Sequence, residues 1–499
     1  MNFRAVAQML GVVLLLMSGF LAVPAGVGAA YREWGPASSC GLAALITAAF
    51  GGLVTFVFRG ATRDARRRLD YFRREGLATV GLVWLVAGFA GALPYLFSGT
   101  IVSPIDAFFE SVSGITTTGS TILSPEGIDS MPRAIAFWRS FSQWLGGFGI
   151  VMVFVVLFPT GGRSLFRSEV PGISREAGHQ RVGDSALMLM RIYLGLSVLL
   201  LACLVASGMT PFDAVLHTFT TVANAGFSNH SESIAYFDSA LIEGILVVFM
   251  LLSALNFAIY DTLLRVGVRP AWRKLVGSLE VRLFVGLVVA STLVIAGVLW
   301  AASGEPGATA EYDDPVRALR DALFQVVVMV TTAGYATADF DAWPEFCRIG
   351  LMVLGFCGAC AGSTSGGLKL VRIAIIFKAA LVGVRRFARP RVIHQIRIDG
   401  QTIDESVVAS VTSYVVLWLL VFVGATILLA AYGIDLETSA VAVHVTLNNI
   451  GPGLGGVGPA ESFGHLPGVV KFVLSMCMVL GRLEFYALVV LLMPSFWRR

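Results

Sequence analysis

Charge is scarce in this chain of 499 residues: Asp, Glu, Lys and Arg make up 14%, against 56% hydrophobic residues, and the formal net charge is only +4. Soluble domains carry roughly 25% charged residues, and a soluble chain of this length would divide into about three domains, each needing a charged exterior. The shortage excludes a soluble enzyme, a disordered scaffold and a nucleic-acid binder. Cysteine is also sparse. The six present (Cys40, Cys203, Cys347, Cys357, Cys360 and Cys477) do not make a disulfide framework. Cys357 and Cys360 have C-x-x-C spacing, but no second ligand pair stands near them as a metal site requires, so they read as packing residues. The six histidines are scattered, with no H-E-x-x-H or triad-like grouping. His217 and His444 read as polar packing residues. No catalytic constellation and no organic-cofactor motif is present, so the chain reads as a non-enzyme.

Apolar sequence, in contrast, is abundant in runs of about 20 residues, the length that crosses a bilayer as a helix. Ten candidate spans fall at 6–30, 38–58, 77–98, 134–159, 185–207, 239–264, 283–302, 347–380, 406–432 and 468–495. The first is longer than the roughly 7–15 apolar residues of a signal peptide and reads as a retained helix. Arginines cluster after the second span (Arg59 to Arg74), the fourth (Arg163 to Arg181), the sixth (Arg265 to Lys274) and the eighth (Arg385 to Arg397), and the chain ends Arg498-Arg499. If each span crosses once, these lie on one side, which the positive-inside rule makes cytoplasmic, with both termini there. The opposite loops are richer in acid (Asp106, Glu110, Asp213, Glu232, Glu305, Glu311, Asp313, Asp314, Asp321, Glu437 and Glu461), a set expected to concentrate cations at an outer mouth.

Those outer loops carry a fourfold repeat. DAFFESVSGITTTGST, DAVLHTFTTVANAGFS, DALFQVVVMVTTAGYA and ETSAVAVHVTLNNIGPG align on Gly119, Gly226, Gly334 and Gly451, at intervals of 107, 108 and 117 residues. An acid stands 13 residues before the first three glycines (Asp106, Asp213, Asp321) and 14 before the fourth (Glu437). A carboxylate is favoured at a helix start, and Pro104 and Pro211 suit helix entry. Each segment is too short to span. It therefore reads as a re-entrant helix followed by non-helical backbone, which membrane depth tolerates only when it is buried or lines a water-filled path. Four copies predict four backbone strands about one axis, with carbonyls able to replace the water around a monovalent cation.

These segments resemble the superfamily of K+ transporters that includes the TrkH and KtrB types. TTTG, NAGFS, TTAGYA and NNIGPGLGG resemble its four filter loops, and RSFSQWLGGFGI, GSTSGGLKLVR and GRLEFY its inner-helix signatures. The resemblance implies an all-α polytopic membrane protein of four fused helix–pore-loop–helix repeats around a central pore. Two further N-terminal helices favour the TrkH and TrkG branch. The implied division is 1–70 for those helices and a basic linker, then repeats over 71–175, 176–270, 271–397 and 398–499. The implied K+ filter comprises Thr117, Thr118 and Gly119; Asn224, Ala225 and Gly226; Thr332, Ala333 and Gly334; and Asn449, Ile450 and Gly451. In the family, glycine at all four aligned positions accompanies K+ selectivity. The implied partners are a second copy in a homodimer, membrane lipid and a cytosolic nucleotide-binding ring of the TrkA type; no nucleic acid is expected. K+ is the transported ion, and the implied location is the cell inner membrane. A symporter coupling K+ to H+ or Na+, and a Na+-preferring relative, stand as alternatives.

The eighth span contains Gly355, Gly358, Gly362, Gly366 and Gly367, with Ser363, Thr364 and Ser365 among them and Lys369 beyond. So many helix breakers predict a broken helix with an unwound loop, and the resemblance makes that loop an intramembrane gate. Arg482 and Glu484 lie in the last span, where charge costs several kcal/mol unless paired or hydrated. Arg482 admits two readings: a pore-facing barrier to cations, or a structural partner of Glu484 or of helix-end carbonyls. Arg139, nearer the outer interface, reads as a weaker case of the same kind.

Overall fold

The computed structural model describes residues 1–60, 69–157, 182–302, 312–388, 395–483 and 485–497. Most residues that carry the orientation argument lie outside this set, namely Arg63, Arg66, Arg67, Arg68, Arg163, Arg167, Arg175, Arg181, Arg389, Arg391, Arg498 and Arg499; so do Glu305, Glu311 and Glu484. The described chain is helical apart from one antiparallel hairpin pairing Arg397–Ile398 with Gln401–Thr402. Six described helices are long and apolar enough to cross a membrane, or seven if one bent pair counts as a span.

The first two helices, Phe3–Ala30 and Trp34–Val57, cross at Gly11 and Gly51. A Cβ on Gly51 would stand 2.9 Å from the Gly11 carbonyl oxygen, so small residues there let the backbones touch. Between them Glu33 accepts hydrogen bonds from Arg133 N (3.0 Å) and Ala134 N (3.1 Å), capping the first inner helix and tying the hairpin to the rest.

Four units follow, each with an outer helix, a short buried helix, an extended loop and an inner helix. The outer helices are Leu69–Ser98, Val182–Ala206, Leu279–Ala302 and Glu405–Ala431. The short helices are Pro104–Ile115, Pro211–Val222, Pro315–Thr331 and Leu436–Leu447. Three of them have proline at the first position and a capping side chain before it (Ser103, Thr210, Asp314), and the fourth is capped by Asp435. The N–H groups and the hydroxyl of Thr438 hold the Asp435 carboxyl below the usual carboxylate range. The aligned acids Asp106, Asp213 and Glu437 sit in first turns, but Asp321 does not. The third short helix begins six residues before Asp321, at Pro315, because Asp314 and Pro315 supply a stronger start, and Asp321 is left buried in the second turn.

Only the first inner helix, Arg133–Leu157, is continuous. The second is bent by 85° between Ala240–Ser253 and Phe257–Val266, the third is interrupted between Glu345–Cys357 and Leu370–Ala388, and the fourth between Gly468–Arg482 and Tyr486–Leu492. The candidate spans at 239–264 and 468–495 thus each contain a break. At the second break Asn256 caps the new helix through Ala258 N (2.9 Å), and at the fourth Phe485 has φ +65°.

Candidate cation pore and intramembrane loop

The short helices carry the chain inward, and each loop then turns through the same backbone pattern. Two positions before each aligned glycine stands a left-handed residue: Thr117 (φ +58°), Asn224 (+50°), Thr332 (+58°) and Asn449 (+54°). The glycines are left-handed as well, at +84°, +79°, +74° and +117° for Gly119, Gly226, Gly334 and Gly451. The glycines were legible in the sequence. The other four were not, since threonine rarely adopts positive φ, although asparagine tolerates it.

The four loops meet in a closed ring. A Cβ built on Gly119 would lie 2.2 Å from the Ala225 carbonyl oxygen, one on Gly226 2.2 Å from that of Ala333, and one on Gly334 2.2 Å from that of Ile450. The circuit closes with Gly451, whose Cβ would lie 3.1 Å from the Thr118 carbonyl oxygen. Each loop thus touches the next in the order one, two, three, four, one. Thr117, Thr118, Asn224, Ala225, Thr332, Ala333, Asn449 and Ile450 are all buried. Inner helices run hard against the ends of the short helices. Gly146 faces the Ile115 carbonyl oxygen and Gly481 that of Leu447, with room for no Cβ, which explains the glycine in both inner-helix signatures.

A buried charge pair braces this ring. Arg139 Nε donates to Glu110 Oε1 at 2.7 Å, Arg139 Nη1 donates to Ser228 O at 2.7 Å, and the guanidinium lies 3.6 Å over the Phe227 ring. Glu110 also accepts from Thr121 Oγ1 and Ile122 N, each at 3.0 Å. Gln143, one turn along, brackets the second loop: its Nε2 donates to Ala225 O (2.9 Å) and its Oε1 accepts from Phe227 N (3.1 Å). The network that Arg139 forms with Glu110 and Gln143 is not legible in the sequence, because their partners lie in other segments. Arg139→Ala leaves Glu110 buried without its cation, so a loss of about 3–5 kcal/mol is expected. The melting temperature of the purified protein measures it, and Glu110→Gln should cost less.

Beneath the ring lies the interrupted stretch of the third inner helix. Gly358, Gly362, Gly367 and Lys369 have positive φ there. Asn224 Nδ2 donates to Thr364 Oγ1 and Ser365 Oγ, both at 3.1 Å; Gly366 N donates to Thr332 Oγ1 at 2.8 Å; and a Cβ on Gly366 would lie 2.3 Å from Asn448 O. The stretch therefore abuts loops two, three and four. Ser363 Oγ closes a local turn onto Cys360 O (2.7 Å), and Lys369 Nζ donates to Ser365 O. Gly362 O accepts from Phe257 N (3.1 Å), while Thr364 N and Cys360 N donate to Ser253 O (3.4 Å) and Ala254 O (3.3 Å). The two helix breaks thus satisfy one another's free backbone groups. Glu280 adds a contact missed in the sequence: its Oε1 accepts from Ala361 N at 2.6 Å.

Arg482 is buried, with Nη1 donating to Thr364 O (2.8 Å) and Nη2 to Gly146 O (3.1 Å). It thus reaches from the fourth unit to both the third and the first, which face each other across the ring. Of the partners expected for it, backbone carbonyls are the ones it holds. A pairing with Glu484 involves a residue outside the described set.

The outer mouth holds a cavity of about 520 Å³ lined by Gly119, Gly226, Gly334, Glu232, Asp339 and Glu461 among others. The expected collective acidity needs correction. Asp106 pairs with Lys471 (2.8 Å), Glu110 with Arg139, Glu437 with Arg348, and Asp213 approaches His230 Nε2 (3.5 Å), so these acids are largely spent on structure. The acids left on the cavity wall are Glu232, Asp339 and Glu461. His217 and His444 are packing residues as expected: His217 Nδ1 bonds Asp213 O (2.8 Å), and His444 stacks 4.0 Å from Phe356. Cys357 and Cys360 are unpaired thiols, and no cluster of metal-binding side chains occurs among the described residues.

Four loops closed into a ring within a helical bundle define a multi-pass membrane protein of the pore-loop transport class. The family model described as "TrkH: Cation transport protein" matches residues 46–499. The chain belongs to this TrkH family. It is 36% identical over 504 residues to the Trk system potassium uptake protein TrkH of Salmonella typhimurium, covering 100% of both chains. It is 34% identical over 431 residues to the Trk system potassium uptake protein TrkG of Escherichia coli, covering 85% of this chain and 86% of the relative. The crystal structure of the potassium transporter TrkH from Vibrio parahaemolyticus superposes with a TM-score of 0.88 at 36% identity, covering 100% of both chains.

Proposed function

We propose that this chain takes up K+ across the cytoplasmic membrane through the ring of Gly119, Gly226, Gly334 and Gly451. The observation that carries the reading is the cyclic closure of the four loops. Alternating backbone handedness turns successive carbonyls the same way, and such oxygens replace the hydration shell of a monovalent cation. Thr117 Oγ1, Asn224 Oδ1 and Asn449 Oδ1 are buried oxygens with no protein hydrogen-bond partner among the described residues, which suits a hydrated cation path. The C-terminal ends of the four short helices add partial negative charge at the ring. The names of the relatives support K+ as the ion.

The stretch Gly362 to Gly367 acts as the gate, with Lys369 and Arg482 holding it beneath the ring. The protein works as a homodimer in the inner membrane, termini in the cytoplasm, and a cytosolic nucleotide-binding ring governs the gate. The twelve filter residues contain no titratable side chain, which favours gated conduction over proton coupling. Rescue of a K+-uptake-deficient cell at low K+, with and without the cytosolic partner, tests the function. Growth is expected only with the chain present and is strengthened by the partner; no rescue in either strain overturns the reading. Reversal potentials should follow the K+ gradient alone at several external pH values.

Neutralising Glu232, Asp339 and Glu461 together should raise the K+ concentration for half-maximal influx severalfold at low ionic strength. The difference should shrink as salt rises past about 0.15 M, where screening acts within about 8 Å.

A further inference from the structure

The second inner helix turns through 85° between Ala240–Ser253 and Phe257–Val266. With Ala240–Ser253 along the membrane normal, the 85° bend sets Phe257–Val266 close to the membrane plane, on the face opposite the cavity. A turn at Gly267 (φ +108°) leads into a second short helix, Val268–Gly277. Lys274 Nζ reaches back to Ala258 O and Thr262 Oγ1, both at 3.1 Å, and braces the two helices into an elbow.

The second helix of the elbow is amphipathic in an unusual direction. Ala271 is buried and Leu275 packs on the core, yet Val268, Trp272 and Val276, spaced four apart on one stripe, are 71%, 63% and 51% exposed. Arg269 and Arg273 form the adjoining stripe and are exposed, and neither is paired with any described residue. The segment VRPAWRKLVG contains no acid. An apolar stripe with tryptophan, edged by arginines, matches the boundary between acyl chains and headgroups. Unpaired guanidinium groups there complement phosphate, which they bind through two parallel hydrogen bonds.

We propose that this elbow is a binding site for anionic phospholipid: Val268, Trp272 and Val276 enter the acyl boundary while Arg269 and Arg273 hold headgroup phosphates. The site is coupled to the intramembrane loop, because the bend that carries the elbow supplies Ser253 O, Ala254 O and Phe257 N to that loop. Lipid held at the elbow therefore steadies the backbone on which the loop rests.

The test uses the full-length protein in nanodiscs of phosphatidylcholine, alone or with a quarter phosphatidylglycerol. A nitroxide on Trp272→Cys should be relaxed more by oxygen than by a water-soluble nickel complex. Phosphatidylglycerol titrated onto the detergent-solubilised protein should bind about fivefold more weakly for each arginine removed, and on the order of 25-fold more weakly for Arg269→Gln/Arg273→Gln together. The Arg269→Lys/Arg273→Lys pair should restore most of the binding, which separates charge from folding. Unchanged phosphatidylglycerol affinity in the Gln pair overturns the proposal. So does a nitroxide at 272 that is reached freely by the nickel complex, or buried against a second copy of the chain.

Discussion

Gly226→Ala should abolish K+ influx while leaving full-length protein in the membrane. The new methyl carbon would lie 2.2 Å from Ala333 O, 2.6 Å from Gly334 C and 2.8 Å from Gly334 Cα, all of them backbone atoms of the adjoining loop. No side chain can swing away to relieve this contact. The backbone there is also left-handed, which costs an L-residue about 1–2 kcal/mol. Overpacking adds roughly 1–3 kcal/mol. The ring relieves the clash by opening, and an opened ring loses the spacing that replaces water around the ion. Influx of Rb+ into a K+-uptake-deficient cell should fall on the order of 100-fold or more, taking 1.4 kcal/mol per tenfold. Gly244→Ala is the control: nothing stands within 4 Å of a Cβ built there, and influx should stay near wild type. Gly226→Ala with ordinary influx would remove the ring from the conduction path.

Arg482→Ala should have the opposite sign. In the present conformation the guanidinium joins the interrupted stretch, at Thr364 O, to the first inner helix, at Gly146 O. Hydrogen bonds to a charged group contribute about 1.5–3 kcal/mol each, so losing two shifts the balance between held and released loop by about 3 kcal/mol at the lower figure. If Arg482 faces the pore, as a barrier to cations would, removing its positive charge also lowers that barrier. K+ current measured without the cytosolic partner should rise on the order of 100-fold, while the preference for K+ over Na+, assigned to the proposed filter, stays the same. Loss of transport together with loss of protein would instead mark Arg482 as purely structural.

The fold was legible wherever a local rule governed it. Apolar run length gave the outer helices, and the fourfold spacing of glycine gave the loops, since each repeat meets the same steric demand. The rest was hidden where a residue's partner is distant or where a neighbouring helix start outweighs the alignment. Asp321 aligns with the first-turn acids of its sister segments, yet Asp314 and Pro315 start that helix earlier. The second inner helix breaks without glycine or proline because the interrupted third helix supplies donors to Ser253 O and Ala254 O. The outer acids looked like an open field of charge, but Lys471, Arg139 and Arg348 neutralise several of them from other segments.

Composition alone made this a membrane protein, and periodic glycine alone demanded four equivalent pieces of strained backbone. Whether those pieces share one axis, and which carbonyls Arg482 holds, was decided only by tertiary closure. The physical reason is that a helix within a membrane can break wherever its freed N–H and C=O groups find partners. In this chain those partners come from helices far away in sequence.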